Sequence, residues 1–225
     1  MNSSSISMRL LSVSERIQKA CQRAGRNPGD VQLVAVTKTF STETIRAAME
    51  AGLNVFGENY IQEARTKIEE IGHSASWHFI GHLQTNKVKY AVKLFDLIHS
   101  VDSLKLAREI DKRAKGIERR IPILIQVNIS EEESKSGVDM ASTADLVAAA
   151  RELPNLEVRG LMTMPPFFDQ PEKARPYFKA LRAIKESIAP PLTELSMGMS
   201  GDFEVAIEEG ATIIRVGTAI FGQRA

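Results

Sequence analysis

Short apolar runs alternate with amphipathic stretches along nearly the whole chain. Runs of strand-forming residues occur at 31–38, 53–58, 77–81, 96–101, 121–129, 156–163, 192–197 and 212–217. The first is apolar except for Gln32 until it ends in Thr37-Lys38. A run of that kind fits a strand buried on both faces, as in a parallel sheet wrapped by helices. Between the runs, apolar residues recur at helical spacing. Residues 42–51 put Ile45, Ala48 and Met49 on one face, with Gly52 as the stop. Residues 103–114 do the same with Leu104, Ala107 and Ile110, behind Ser103 as N-cap. The stretches 141–153, 171–188 and 202–209 read as helices too, the last stopped by Gly210.

Strand–helix alternation implies parallel strands joined by crossover helices. About eight such strands in 225 residues predict an α/β fold, a single (β/α)8 TIM barrel taking in residues 1–225. An open doubly wound sheet is the alternative, but no glycine-rich fingerprint follows the first strand. The eighth strand lies close to Ala225, which leaves little room for an eighth helix. Leu10, Val13, Ile17, Ala20, Cys21 and Ala24 form an apolar stripe ended by Gly25. The stripe predicts an N-terminal helix packed on the outside of the barrel, with Cys21 as a small core residue. Residues 1–7 are polar, lack the order of a signal peptide, and are expected to be disordered.

Composition narrows the function classes. Lys and Arg total 29 against 28 Asp and Glu, a net charge of +1, so no global field argues for nucleic acid or a membrane surface. No apolar stretch approaches the roughly 20 residues that span a bilayer. The single cysteine excludes an internal disulfide and a cysteine-rich metal site, and it fits a reducing compartment; cytoplasmic location is the expectation. No heptad or extra domain suggests assembly, so a monomer is expected.

A barrel carries its chemistry at the C-terminal ends of its strands. Those ends hold Lys38, Gly57-Glu58-Asn59, Gly81-His82, Ser100 and Asp102, Asn128, residues 162–164, residues 196–201 and Arg215 to Thr218. An ammonium at the mouth of an apolar interior is a candidate nucleophile for a carbonyl; otherwise its head simply reaches water. Residues 196–202 lead from the seventh strand into a short helix, and Arg215-Val216-Gly217-Thr218 closes the eighth. Barrels often hold phosphate there. Gly201 and Gly217 let the backbone approach an anion, while Ser200 and Thr218 add hydroxyl donors. The plainer alternative is that Ser200 or Asp202 only caps the helix and Gly217 eases a turn. Together these ends suit a phosphorylated aldehyde held as an imine, and pyridoxal 5'-phosphate (PLP) is one. Arg215 would lie near the pyridine nitrogen, or else pair with a carboxylate. Other candidates carry less. His78 and His82 straddle a strand end, so no shared metal site is expected, only hydrogen bonds near the mouth. Met162, Met164, Met197 and Met199 read as pocket packing. Glu131-Glu132-Glu133 reads as a solvated loop that Lys135 neutralises.

Seven segments carry a resemblance: Val34-Ala35-Val36-Thr37-Lys38, Phe56-Gly57-Glu58-Asn59-Tyr60, Trp77-His78-Phe79-Ile80-Gly81-His82-Leu83-Gln84, Ser134-Lys135-Ser136-Gly137, Gly160-Leu161-Met162-Thr163-Met164, Leu195-Ser196-Met197-Gly198-Met199-Ser200 and Arg215-Val216-Gly217-Thr218-Ala219-Ile220-Phe221-Gly222. From about Leu10 to Gly222 the chain resembles the pyridoxal phosphate homeostasis proteins, also called PROSC or YggS-like proteins. The resemblance implies a barrel similar to the N-terminal domain of alanine racemase. It also implies a Schiff base on Lys38, phosphate binding by Ser200, Gly217 and Thr218, Arg215 facing the pyridine nitrogen, and Asn59 in the pocket.

Three functions compete. The first is a PLP-binding protein of vitamin B6 homeostasis that stores PLP or delivers it to apo-enzymes, without a dedicated reaction. The second is an amino-acid racemase of the alanine racemase type. The third is an aldolase acting on a sugar phosphate through a Schiff base without PLP. Two-base racemisation needs a proton donor on each face of the substrate. In alanine racemase one is a tyrosine from a separate domain of the partner subunit. The sequence ends at the barrel, and Tyr60, Tyr90 and Tyr177 occupy no obvious equivalent. The aldolase lacks an acid/base partner beside Lys38. The carrier is therefore the expectation.

Overall fold

Eight parallel strands close into a barrel in chain order, β1 pairing with both β2 and β8. This is a computed structural model, and it describes residues 3–130, 132 and 136–223. The strands are β1 (Gln32–Val36), β2 (Val55–Glu58), β3 (Ser76–Phe79), β4 (Leu97–Val101), β5 (Ile121–Gln126), β6 (Leu156–Met162), β7 (Glu194–Met199) and β8 (Ile213–Val216). Five of the eight expected runs reach past the observed C-terminal end, by one to three residues; those of β2 and β4 end where the strands do, and β7 instead continues to Met199. Just past the ends of β1, β3, β5 and β6, the N–H groups of Thr37, Ile80, Val127 and Thr163 still donate to the adjacent strand. The helices are α1 (Ser3–Arg23), α2 (Thr42–Glu50), α3 (Ile61–Ile71), α4 (Val88–Leu94), α5 (Leu104–Lys115), α6 (Thr143–Arg151), α7 (Arg175–Ser187), α8 (Phe203–Glu208) and α9 (Thr218–Phe221).

Strand alternation divides the core into two shells. Val34, Val55, Leu97, Leu124, Met162 and Ile213 point inward and fill the barrel. Neighbours of opposite parity, such as Ala35, Phe56, Ile98 and Ile214, point outward and pack under the helices. The N-terminal stripe behaves as its spacing implies. Val13, Ile17, Ala20 and Cys21 are buried, and α1 packs on α2, α8 and α9 outside the barrel. The expectation of disorder over residues 1–7 fails from Ser3 onward: Ile6 is fully buried and extends the apolar stripe by one turn. Ser41 and Ser103 cap α2 and α5 through their hydroxyls. Among the described residues no helix is long and apolar enough to cross a membrane.

Candidate functional site at the mouth of the barrel

The C-terminal ends of the strands open onto two adjoining recesses that share Phe167 and Met199. The smaller, about 280 Å³, lies over β1, β7 and β8. Lys38, Ser200, Gly201, Asp202, Arg215, Gly217 and Thr218 line it, with Val36 and Phe168 among the apolar walls.

Lys38 follows β1 by two residues and continues the inward parity of Val34 and Val36. Its flanking residues are tied down from behind the barrel wall. The buried Lys67 of α3 donates from Nζ to the Thr37 carbonyl (2.7 Å), to Glu58 Oε1 (2.7 Å) and to Glu63 Oε1 (2.6 Å). The Thr37 hydroxyl donates to Glu58 Oε1 at 2.7 Å. On the other side of Lys38, the Thr39 N–H donates to Glu63 Oε1. Thr39 has φ +69°, a left-handed conformation that a β-branched residue holds only when its surroundings impose it. The polar triad thus fixes the peptide units on both sides of the amine. Burial raises the Glu58 carboxyl above the usual carboxylate range, with Lys67 opposing that shift.

The loops after β7 and β8 are stitched together by Ser200. Its Oγ accepts the N–H groups of Gly217 (3.2 Å) and Ala219 (3.3 Å), which leaves its own proton for a guest. A Cβ added to Gly201 would meet nothing within 4 Å, so the wall is open there. The N–H groups of Gly201 and Thr218 find no acceptor among the described residues. Converging N–H and hydroxyl donors of this kind make an anion-binding concavity.

Arg215 lies beneath that cup and is 3% exposed. Its Nη1 donates to Ser196 Oγ at 2.5 Å and its Nη2 to the Thr163 carbonyl at 2.9 Å. Desolvation brings its pKa down to about 10, against the pull of Asp202, so it remains a cation at neutral pH. Asp202 is raised, chiefly by burial, and its Oδ1 accepts the Met199 N–H at 2.7 Å. Asn59 faces the larger recess, about 400 Å³, and its Oδ1 is buried without a partner. Gly81 allows this placement: a Cβ there would stand 2.2 Å from the Asn59 carbonyl oxygen.

Comparison with known proteins gives this geometry its context. Residues 9–225 match the family model described as the alanine racemase N-terminal domain. A pyridoxal phosphate homeostasis protein from Aquifex aeolicus is 49% identical over 96% of this chain and 97% of its own length. The chain belongs to the pyridoxal phosphate homeostasis protein family. Another relative, PipY of Synechococcus elongatus, was solved with PLP bound. It superposes with a TM-score of 0.84 and 37% identity, covering 96% of this chain and all of that one. Alanine racemase from Corynebacterium glutamicum shares only the fold, with 17% identity and a TM-score of 0.76 over 62% of its length.

In this member of the homeostasis family, six of the seven residues singled out in the sequence meet in one recess: Lys38, Ser200, Gly201, Arg215, Gly217 and Thr218. Asn59 lies across the mouth in the adjoining recess. Asp202 keeps its side chain on the Met199 N–H and makes no side-chain bond into α8, so neither it nor Ser200 merely caps that helix. His82 sits at the mouth, with Nδ1 3.2 Å from Ser136 Oγ. His78 does not: it turns into the barrel, with Nδ1 3.0 Å from His99 Nε2. Met164 and Met199 line the mouth, whereas Met162 fills the barrel interior and Met197 the outer shell, because strand parity sends them there. Lys135 and the acidic residues Glu131 and Glu133 lie outside the described residues. Sequence reasoning passed over Lys67 and His99. The available signal for His99 was a polar residue sharing the inward parity of Leu97.

Proposed function

We propose that the mouth of this barrel binds PLP, with Lys38 as the Schiff-base lysine, and that the protein serves PLP homeostasis as a cytoplasmic store and donor to apo-enzymes. The observation that carries this reading is the convergence of an amine, an anion cup and a buried guanidinium on one small recess. Each matches one polar handle of PLP. The aldehyde faces Lys38, the phosphate meets Ser200, Gly201, Gly217 and Thr218, and the pyridine nitrogen meets Arg215. The unpaired Asn59 Oδ1 supplies an acceptor at the edge of the site. PLP contributes an aldehyde carbon open to amine attack and an electron-withdrawing ring. Lys38 Nζ adds to that carbon and water leaves. Arg215 can only donate a hydrogen bond, so it favours a neutral ring nitrogen and a weak electron sink. The names of the relatives and the PLP found in PipY support the same reading.

Racemisation is the second reading, favoured by the family model's description. It needs an acid/base group opposite Lys38. Among the described residues lining the recess, the remaining titratable groups are Asp202, engaged by a backbone N–H, and Arg215. Tyr60 is 57% exposed and lines a different groove. The protein is therefore read as a carrier, acting as a monomer. Protein incubated with PLP should turn yellow, and borohydride should then fix the label on the peptide containing Lys38. The loaded protein should activate an apo-enzyme as free PLP does. A colourless protein with no label on Lys38 refutes PLP binding, and sustained α-hydrogen exchange of alanine at enzyme-like rates refutes the carrier.

A further inference from the structure

A chain of buried polar side chains runs from Arg215 down the barrel axis. Arg215 Nη1 reaches Ser196 Oγ at 2.5 Å. Ser196 Oγ lies 2.9 Å from His99 Nδ1, and His99 Nε2 lies 3.0 Å from His78 Nδ1. Ser196 and His99 have no exposure at all, and His78 has 4%. The chain ends at the opposite face of the barrel. There His78 lines a polar recess of about 350 Å³ walled by strand starts, among them Gln32, Ser76, Leu97, Glu194 and Ile213.

Hydrogen-bond chemistry fixes the direction of this chain. A guanidinium donates and never accepts, so Ser196 Oγ accepts from Arg215. The Ser196 proton then has one acceptor among the described residues, His99 Nδ1. His99 must carry its own proton on Nε2 and give it to His78 Nδ1. His78 in turn carries its proton on Nε2, toward the far recess. The reverse order would leave the Ser196 hydroxyl proton without an acceptor in a dry interior. Both imidazoles are neutral in this arrangement. Burial holds each pKa below the histidine norm, and Arg215 adds to the effect at His99.

We propose that Ser196, His99 and His78 form a one-way hydrogen-bond relay through the barrel interior, and that they act as positioning residues which hold the plane of the Arg215 guanidinium under the cofactor mouth. The proposal rests on the PLP reading of that mouth and adds to it what orients its one buried cation. Arg215 would otherwise keep the Thr163 carbonyl as its one fixed acceptor and could swing about that bond.

The test uses the full chain labelled with nitrogen-15 at histidine and arginine. The sequence has 4 histidines, so the imidazole signals separate readily. Without PLP, His78 and His99 should both be neutral with the proton on Nε2 between about pH 6 and 8, and the Arg215 Nη protons should exchange slowly. Ser196→Ala should abolish the His99 tautomer preference, speed Arg215 exchange about tenfold and raise the PLP dissociation constant about tenfold, which is the loss of one hydrogen bond to a charged group. Ser196→Thr keeps the hydroxyl and should restore all three; circular dichroism shows whether each variant is folded. A proton on Nδ1 of either imidazole, or unchanged Arg215 exchange in a folded Ser196→Ala protein, overturns the relay. Failure of the PLP reading has a different signature: PLP perturbs neither Arg215 nor His99 and leaves no adduct on Lys38, while tautomers and exchange rates stay as stated.

Discussion

Replacing Lys67 by methionine should strike both the fold and Lys38, because one ammonium holds three acceptors in a site closed to water. The Lys67 side chain is 6% exposed and that of Glu58 is fully buried. Glu58 Oε2 already lacks a partner, so the wild-type carboxylate depends on Oε1, which takes Lys67 Nζ and the Thr37 hydroxyl. Lys67→Met leaves that carboxylate buried with one neutral donor. Removing one member of a buried ion pair costs roughly 3–5 kcal/mol, against roughly 0–1 kcal/mol for an exposed one. Urea unfolding near pH 7 should show a loss in the larger range with an unchanged denaturant slope. The double variant Glu58→Gln/Lys67→Met should recover about 1–3 kcal/mol, since the uncompensated charge is gone. Lowering the pH should also narrow the gap. The folded Glu58 pKa is raised by burial, and losing Lys67 raises it further, so the folded acid takes up its proton before the unfolded one does. The variant therefore gains stability relative to wild type as pH falls toward the ordinary carboxylate range. Lys38 should label more slowly with PLP in the folded variant, because the Thr37 carbonyl loses its anchor and Glu63 is freed from its cation. A loss under about 1 kcal/mol, with labelling unchanged, would show that water screens the triad and that it does not brace Lys38.

Three further outcomes follow from the geometry. Thr218→Val removes an exposed hydroxyl from the anion cup, and should raise the PLP dissociation constant about tenfold or more while leaving the melting temperature unchanged; equal affinity would move the phosphate elsewhere. His78 has its pKa lowered to about 4, chiefly by desolvation, with Asp96 opposing and Arg159 adding to the shift. The unfolded chain therefore binds more protons than the folded one between about pH 6.5 and 4, and His78 should contribute about 3 kcal/mol to the fall in stability across that window, with His99 adding to it. His78→Asn should flatten this part of the stability profile. Gly81→Ala would drive a Cβ to 2.2 Å from the Asn59 carbonyl oxygen and should cost about 1–3 kcal/mol, seen as a lower melting temperature.

What the sequence reveals and what it hides divide along a physical line. Apolar runs and helical periodicity are local, and they made all eight strands and the outer helix α1 legible. The meeting of Ser200 and Thr218 in one recess was legible from strand order, since they stand just past two strands that a barrel must set side by side. The N-terminal boundary was misjudged because Ser3, Ser4, Ser5 and Ser7 mask the single residue, Ile6, that anchors the first turn. The polar interior was hidden for another reason. Ser196 meets His99 across 97 positions, and Lys67 meets the Thr37 carbonyl across 30. No local pattern distinguishes such residues from solvated ones, since their partners are set by closure of the barrel. Closure also gives them their importance. Once water is excluded from the interior, each buried donor must find its acceptor, and the tautomers of His99 and His78 follow from the single fact that Arg215 cannot accept a hydrogen bond. The mouth is thus braced from two directions. Charge behind the wall steadies Lys38, a neutral chain down the axis steadies Arg215, and the recess between them lies over the three strands that bring the two residues together.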